Sequence, residues 1–209
     1  MAPASKAFPE LLTTRLRLRR FEPRDVDGLH ACFGDPDAMR YWTFPACNTK
    51  TETARWVRIL GKTTSPHEYL AWSVADKRSD RCIGMVIYHH REARNHRLEI
   101  GYILAKAQRG RGLMAEALQA MLAHCFEKLG VHRVDALIHP DNAASMRLAE
   151  RLGFRPEGGP LRDFWRVGDR YASVMVYGLI QGEEAWAKPH ARRSGGTRRG
   201  VRRLSIRSV

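Results

Sequence analysis

Hydrophobic and polar positions change rhythm twice between residues 97 and 138, and that change organises the whole chain. Residues 97–104 read as a strand, with Leu98, Ile100, Ile103 and Leu104 among their apolar positions. Residues 112–129 then place Met114, Leu118, Met121, Leu122, Cys125 and Leu129 on one helical stripe, which Gly130 ends. Residues 133–138 return to a strand pattern. A strand, a helix and a strand in this order form a βαβ unit, so the two strands are expected to be parallel neighbours.

The flanking segments extend the pattern. Residues 11–21 alternate Arg and Leu with period two, as in a half-buried strand. Glu22-Pro23 opens a short helix running through Leu29 to Phe33 and stopped by Gly34-Asp-Pro36. Thr51 is the expected cap of a second helix carrying Trp56, Ile59 and Leu60 and ending at Gly61. Between these helices, residues 39–45 form a loop with three aromatics. Strand patterns at 69–75, 82–89 and 97–104, separated by polar turns, predict an antiparallel meander. A helix over 141–152, stopped by Gly153, precedes a hairpin of 162–166 with 171–179 around Gly168-Asp169. There is no internal repeat.

Composition narrows the class. At 209 residues and 44% hydrophobic, the chain can bury one sizeable core. It has no apolar run of 18 residues, and its first residues lack the apolar stretch of a secretion signal, so a cytoplasmic protein with no membrane partner is expected. Cys32, Cys47, Cys82 and Cys125 include no CxxC pair and read as buried thiols rather than a metal site or disulfide framework. Of the net charge of +14, eight units lie from Lys188 onward, leaving +6 on residues 1–187. The tail is rich in Gly and Ser and contains no acid after Lys188, so disorder is expected there. Such an arm suits weak contact with RNA or the ribosome by counterion release, or it is simply a solvated tail. No aromatic interleaves its arginines to stack on bases. The division expected is an extension over 1–11, one domain over 12–182 and a basic tail over 183–209.

Residues 108–118, between the first strand and the helix of the βαβ unit, carry the clearest chemistry. Two glycines interleaved with arginines at a helix start make an anion cradle: glycine lets the backbone approach a phosphate, and unpaired N–H groups and the helix dipole favour negative charge.

With the segments around it, this loop gives the chain a specific likeness. Thr14-Arg-Leu-Arg-Leu-Arg-Arg-Phe, Ile83-Gly, Leu98-Glu-Ile-Gly-Tyr and Arg109-Gly-Arg-Gly-Leu-Met-Ala-Glu-Ala are followed by His132-Arg-Val. Then comes His139-Pro-Asp-Asn-Ala-Ala-Ser-Met-Arg-Leu-Ala-Glu-Arg-Leu-Gly-Phe. In this order the segments, spanning 12–182, resemble the GNAT superfamily of N-acetyltransferases, and within it the RimJ/RimL type that acetylates ribosomal-protein N-termini. The resemblance implies an α/β fold: a twisted, mixed but mostly antiparallel sheet flanked by helices, splayed at its centre into a CoA cleft. It implies acetyl-CoA as donor and no metal. The family's pyrophosphate loop falls on Gln108, Arg109, Gly110, Arg111, Gly112, Leu113 and Met114, with Met114 in place of a small residue. Pantetheine is expected to pair with the backbone around Ile103 and Leu104, and to meet Asn142 and Ser145 at the next helix start.

The same resemblance places Ser145 near the CoA sulfur, where its hydroxyl would protonate or hydrogen-bond the leaving thiolate. The tyrosine used by many members four residues later is Ala149 here. Glu99 is the expected base, since an α-amino group with a pKa of about 7.7–8.0 needs little help in losing a proton. Attack is expected to be direct on the thioester, a backbone N–H near Ile103 polarising the carbonyl. Tyr41, Trp42 and Tyr88 are the expected acceptor-side residues, with Phe44, His89, His90 and Trp165 nearby. A metal on His89-His90 is not expected, because adjacent strand residues face opposite sides. The acceptor is expected to be a protein N-terminus. A small amine such as a polyamine, or a non-catalytic CoA-binding domain docking on RNA through its tail, are the alternatives. Monomer and homodimer both remain open.

Overall fold

The computed structural model describes residues 8–62 and 69–186. The expected basic tail from Lys188 onward lies outside these residues.

The N-terminal Arg/Leu alternation does not make a single strand. It folds back on itself as β1 (Leu11–Leu12) and β2 (Leu16–Arg19), paired antiparallel with Leu11 opposite Leu18. The reversal is local chemistry: Thr13 Oγ1 accepts the Leu16 N–H at 2.9 Å, and the Thr13 N–H donates to the Leu16 carbonyl at 3.0 Å. A 3₁₀ turn at Pro23–Asp25 leads into α1 (Val26–Phe33). The Gly34-Asp-Pro36 stop also serves as a start, because Asp35 accepts the Asp37 N–H and Pro36 opens the single-turn α2 (Pro36–Met39).

Helix α3 (Lys50–Gly61) is capped by Thr49, not Thr51. Thr49 has the extended backbone a cap requires, and its side chain accepts the Glu52 N–H at 3.2 Å. That shift moves the buried stripe to Thr53, Val57 and Leu60 and leaves Ile59 exposed.

The meander appears as β3 (Leu70–Asp76), β4 (Cys82–Glu92) and β5 (Arg97–Leu104), each antiparallel to the last. Helix α4 (Leu113–Leu129), β6 (Arg133–Ile138) and α5 (Ala143–Arg151) follow. The closing hairpin is longer than its sequence pattern suggests: β7 (Arg155–Val167) and β8 (Arg170–Ile180). Register breaks between Pro156 and Trp165 interrupt the alternation that would have revealed its first half.

The eight strands form one sheet in the order β1-β2-β3-β4-β5-β6-β8-β7. Within it, β5 and β6 are the parallel pair, as the βαβ reading requires. One face buries Leu98, Leu118, Met121 and Phe126 beneath α4 and α5; the other buries Leu29, Phe33, Val57, Met85 and Ile103 beneath α1 and α3. Each face thus has its own apolar layer.

Candidate active site

The parallel pair separates almost as soon as it forms. Arg97, Leu98 and Glu99 pair with Arg133, Val134 and Asp135, and there the ladder stops. Beyond Glu99, β5 continues its pairing with β4, while β6 continues with β8. The edge of β5 from Ile100 to Leu104 therefore opens into a cleft of about 1010 Å³ instead of meeting another strand. Backbone groups on such an edge need a partner, and an extended ligand arm with amide groups supplies one.

The Gln108–Met114 segment closes one end of this cleft. Gly110 and Gly112 adopt φ of 75° and 74°, the left-handed region that strains residues with a side chain. Gly112 is the N-cap of α4, so the N–H groups of the first turn, at Leu113 and Met114, border the cleft without helical partners. Gln108, Arg109, Gly110, Gly112, Leu113 and Met114 all line it. Arg109 bends back so that its Nε donates to the Leu104 carbonyl at 2.9 Å, tying the loop to the end of β5. Arg111 does not line the cleft; its guanidinium donates to Gln108 Oε1 at 2.8 Å.

Two residues beyond Met114 stands an acid, Glu116, whose charge would oppose an anion at this helix start. It is neutralised from the N-terminal hairpin. Thr13 Oγ1 donates to its carboxylate at 2.6 Å, the Arg15 N–H at 2.8 Å and Arg15 Nε at 2.6 Å. Arg15 Nη1 also donates to the Arg111 carbonyl at 2.9 Å. Burial pushes the Glu116 carboxyl up, but these donors outweigh it and hold it below the ordinary range. Arg15 is thus a cradle residue that the local pattern does not reveal. The available sign was the acid itself, which at the start of a helix after a basic glycine loop calls for a cation.

At the other side of the cleft, Asn142 caps α5: its side-chain oxygen accepts the Ser145 N–H at 3.2 Å. Asn142 and Ser145 line the cleft, as do Ile103 and Leu104. Tyr102 lines it too, and its hydroxyl donates to the Ser145 carbonyl at 3.5 Å. Burial raises its pKa, keeping the phenol protonated. Ala149 leaves no tyrosine on α5, and Tyr102 brings a phenol to the same helix from β5.

Glu99 sits where the strands part, at the cleft wall, opposite His89 across β4 and β5. It does not pair with Arg97, which is taken by Glu92 at 2.6 Å and Asp135 at 3.6 Å. Its neighbours are His90 at 3.2 Å and His89 at 3.8 Å. The expectation that His89 and His90 face opposite ways fails. His90 has φ of 48° and the ladder shifts between His89 and Glu92, so the two Nδ1 atoms lie 3.2 Å apart.

The aromatic loop after α2 crosses to α5. Tyr41 packs on His139 with tilted rings, centroids 4.9 Å apart, and its hydroxyl donates to the Asp141 carbonyl at 3.1 Å. Trp42 lines the cleft while packing on Phe33 and Phe44, and Trp165 reaches it from β7. Tyr88, expected on the acceptor side, is instead fully buried, 5.9 Å from the Trp72 ring, and does not reach the cleft. Strand alternation turns its side chain into the core and presents His89 instead.

Comparison with known proteins gives this arrangement a family. Residues 15–155 match the acetyltransferase (GNAT) domain. The chain belongs to the GNAT acetyltransferases. Among its GNAT relatives is an uncharacterized N-acetyltransferase, p20, of Bacillus licheniformis. The two are 29% identical over 175 residues, 84% of this chain and 98% of that one. The ribosomal-protein-serine acetyltransferase of Escherichia coli is 32% identical over 103 residues, 49% of this chain and 57% of that one. In three dimensions the GNAT fold is shared with spermidine N-acetyltransferase from Vibrio cholerae, solved with CoA and spermine. Its TM-score is 0.69 at 22% identity, covering 82% of this chain and 98% of that one. This GNAT chain is an N-acetyltransferase, and the donor its family uses is acetyl-CoA. Among the described residues, no helix is long and apolar enough to cross a membrane.

Proposed function

We propose that this N-acetyltransferase acetylates the N-terminal α-amino group of a protein, ribosomal proteins being the foremost class. The observation that carries this reading is the charge of the cleft. Among the described lining residues the carboxylates are Asp37 and Glu99, and Asp37 lies 3.8 Å from Lys106. A polyamine with several cationic centres needs several acids, and here Arg109 and Arg151 oppose it instead. One amine flanked by apolar chain fits better, with its nitrogen toward Glu99 and its first residues against Tyr41, Trp42 and Trp165. The likeness to the ribosomal-protein-serine acetyltransferase supports the same acceptor.

In this reading, the Gln108–Met114 loop holds the donor's pyrophosphate, and the open edge at Ile103 and Leu104 holds its amide arm. Bound acetyl-CoA supplies an electrophilic thioester. Glu99 takes the proton from the attacking amine, directly or through water. A backbone N–H near Ile103 stabilises the negative charge that develops on the carbonyl oxygen. Ser145, steadied by Asn142 and beside Tyr102, donates a hydrogen bond to the departing thiolate.

Thiol release from acetyl-CoA, measured with peptides beginning Ser, Ala or Thr and with spermidine and aminoglycosides, tests the acceptor. Turnover with the peptides and little with the polyamine is expected. Turnover confined to small amines would overturn the peptide reading. Acetyl-CoA binding with no turnover on any acceptor would mark a binding domain.

A further inference from the structure

His89, His90 and Glu99 converge in a way that protons serve poorly. The Nδ1 atoms of the two histidines are 3.2 Å apart, and Glu99 Oε2 lies 3.2 Å from His90 Nδ1 and 3.8 Å from His89 Nδ1. A ring nitrogen carries either one proton or one in-plane lone pair. If His90 Nδ1 bears a proton and gives it to Glu99, it cannot accept from His89. If it accepts from His89, its lone pair faces the carboxylate. A single His90 Nδ1 proton can serve both neighbours only as a bent, shared bond, so the two 3.2 Å contacts cannot both be linear hydrogen bonds. A cation at the centre of the triangle reverses this, because all three atoms then present lone pairs to it.

The spacing suits one ion. Two nitrogen or oxygen donors bound to a tetrahedral ion at 2.0–2.1 Å lie about 3.3–3.4 Å from each other. The arrangement needs both imidazoles on one side of β4, and the left-handed backbone at His90 supplies that. His90 is 74% exposed, so an ion reaches the site from solvent, and three protein donors leave a coordination position for water. Arg91 borders the neighbouring depression, with Nη2 directed to the Leu129 carbonyl at 3.4 Å.

We infer that His89, His90 and Glu99 form a site for one divalent transition-metal ion, Zn2+ or a congener, at the wall of the acetyl-transfer cleft. Two imidazoles with one carboxylate select the Co2+, Ni2+, Cu2+ and Zn2+ group over Mg2+ or Ca2+, which require oxygen donors. The consequence for activity rests on Glu99 being the base: an ion on Oε2 draws charge from the carboxylate and lowers its basicity, so metal binding opposes amine acetylation.

The test uses the untagged full chain, dialysed against a chelator and titrated with Co2+, followed by calorimetry and by the visible absorption of the bound ion. One Co2+ per chain is expected, with affinity falling at least about tenfold in His90→Asn, since even outer-shell partners of a metal typically contribute 10–100-fold. Asparagine tolerates the left-handed backbone at this position, so the substitution removes the imidazole without straining the strand. Equal affinity in the two proteins, or no saturable binding in either, overturns the site. Acetyl-peptide formation is then measured by mass with added Zn2+. Inhibition in the parent chain that weakens in His90→Asn supports this opposition. Co2+ bound at the site with no Zn2+ inhibition keeps the site and overturns Glu99 as base.

Discussion

Arg15 holds Glu116 from two directions, its backbone N–H donating to Oε1 at 2.8 Å and its Nε to Oε2 at 2.6 Å. The same guanidinium donates to the Arg111 carbonyl, so one side chain fixes both the glycine loop and the acid beside it. Arg15→Ala keeps the backbone N–H but removes the Nε and Nη1 contacts, which leaves the Glu116 carboxylate less neutralised beside the glycine loop. Each lost hydrogen bond typically costs about 0.5–1.5 kcal/mol, and 1.4 kcal/mol is tenfold in affinity. The KM for acetyl-CoA is expected to rise about three- to tenfold with kcat little changed. An unchanged KM would show that the loop holds its shape without Arg15.

Glu116 also makes stability depend on pH. Its carboxyl is held below the ordinary value of about 4.3 by Thr13 and Arg15, against the opposing effect of burial. A carboxyl depressed in the folded state stabilises the fold above its unfolded value and loses that contribution as pH falls through the folded one. Glu116→Gln is therefore expected to lower the Tm relative to the parent above about pH 5, with the two curves converging in stronger acid. Thermal melts between pH 3 and 7 read this directly, and parallel curves would refute it.

At Gly110 the prediction isolates backbone strain. A Cβ there meets nothing within 4 Å, yet φ is 75°. Gly110→Ala therefore adds no clash, only the cost of about 1–2 kcal/mol that a side chain incurs in left-handed backbone. If the loop must keep this shape to bind acetyl-CoA, its Kd rises about tenfold. Calorimetric titration checks it, and unaltered binding would mean that the loop reshapes freely.

What was legible in the sequence, and what was not, follows from the range of the forces involved. The strand at Arg97–Leu104, the helix at Leu113–Leu129 and the strand at Arg133–Ile138 match their local periodicity closely, because each buries a regular apolar face. The GNAT resemblance supplied the cleft, which periodicity could not. Strand alternation failed at His90, where one left-handed residue turns two neighbouring imidazoles to the same side. It was also passed over at Tyr88, which that alternation sends into the core. Arg15 and Glu116 lie 101 residues apart, so no window along the chain contains their pairing. Thr13 was hidden for a different reason: its turn joins two short strands, Leu11–Leu12 and Leu16–Arg19, with no glycine, proline or asparagine to mark the reversal.

Glu99→Gln gives the sharpest test of the chemistry, because the acceptor's own ionisation can stand in for the missing base. The amide keeps the size of the side chain but cannot take a proton. About a tenth of such an amine is already neutral at pH 7, so if Glu99 acts by removing its proton before attack, kcat/KM with a peptide acceptor is expected to fall about tenfold there. An α-amino group with a pKa of about 7.7–8.0 becomes mostly neutral by itself above about pH 9. If Glu99 serves to remove the proton before attack, the deficit of the variant shrinks steadily from pH 7 to 9, while its Kd for acetyl-CoA stays near the parent value. A purely structural carboxylate predicts a deficit that does not change with pH. A pH profile of kcat/KM for both proteins, with acetyl-CoA binding measured alongside, separates these outcomes.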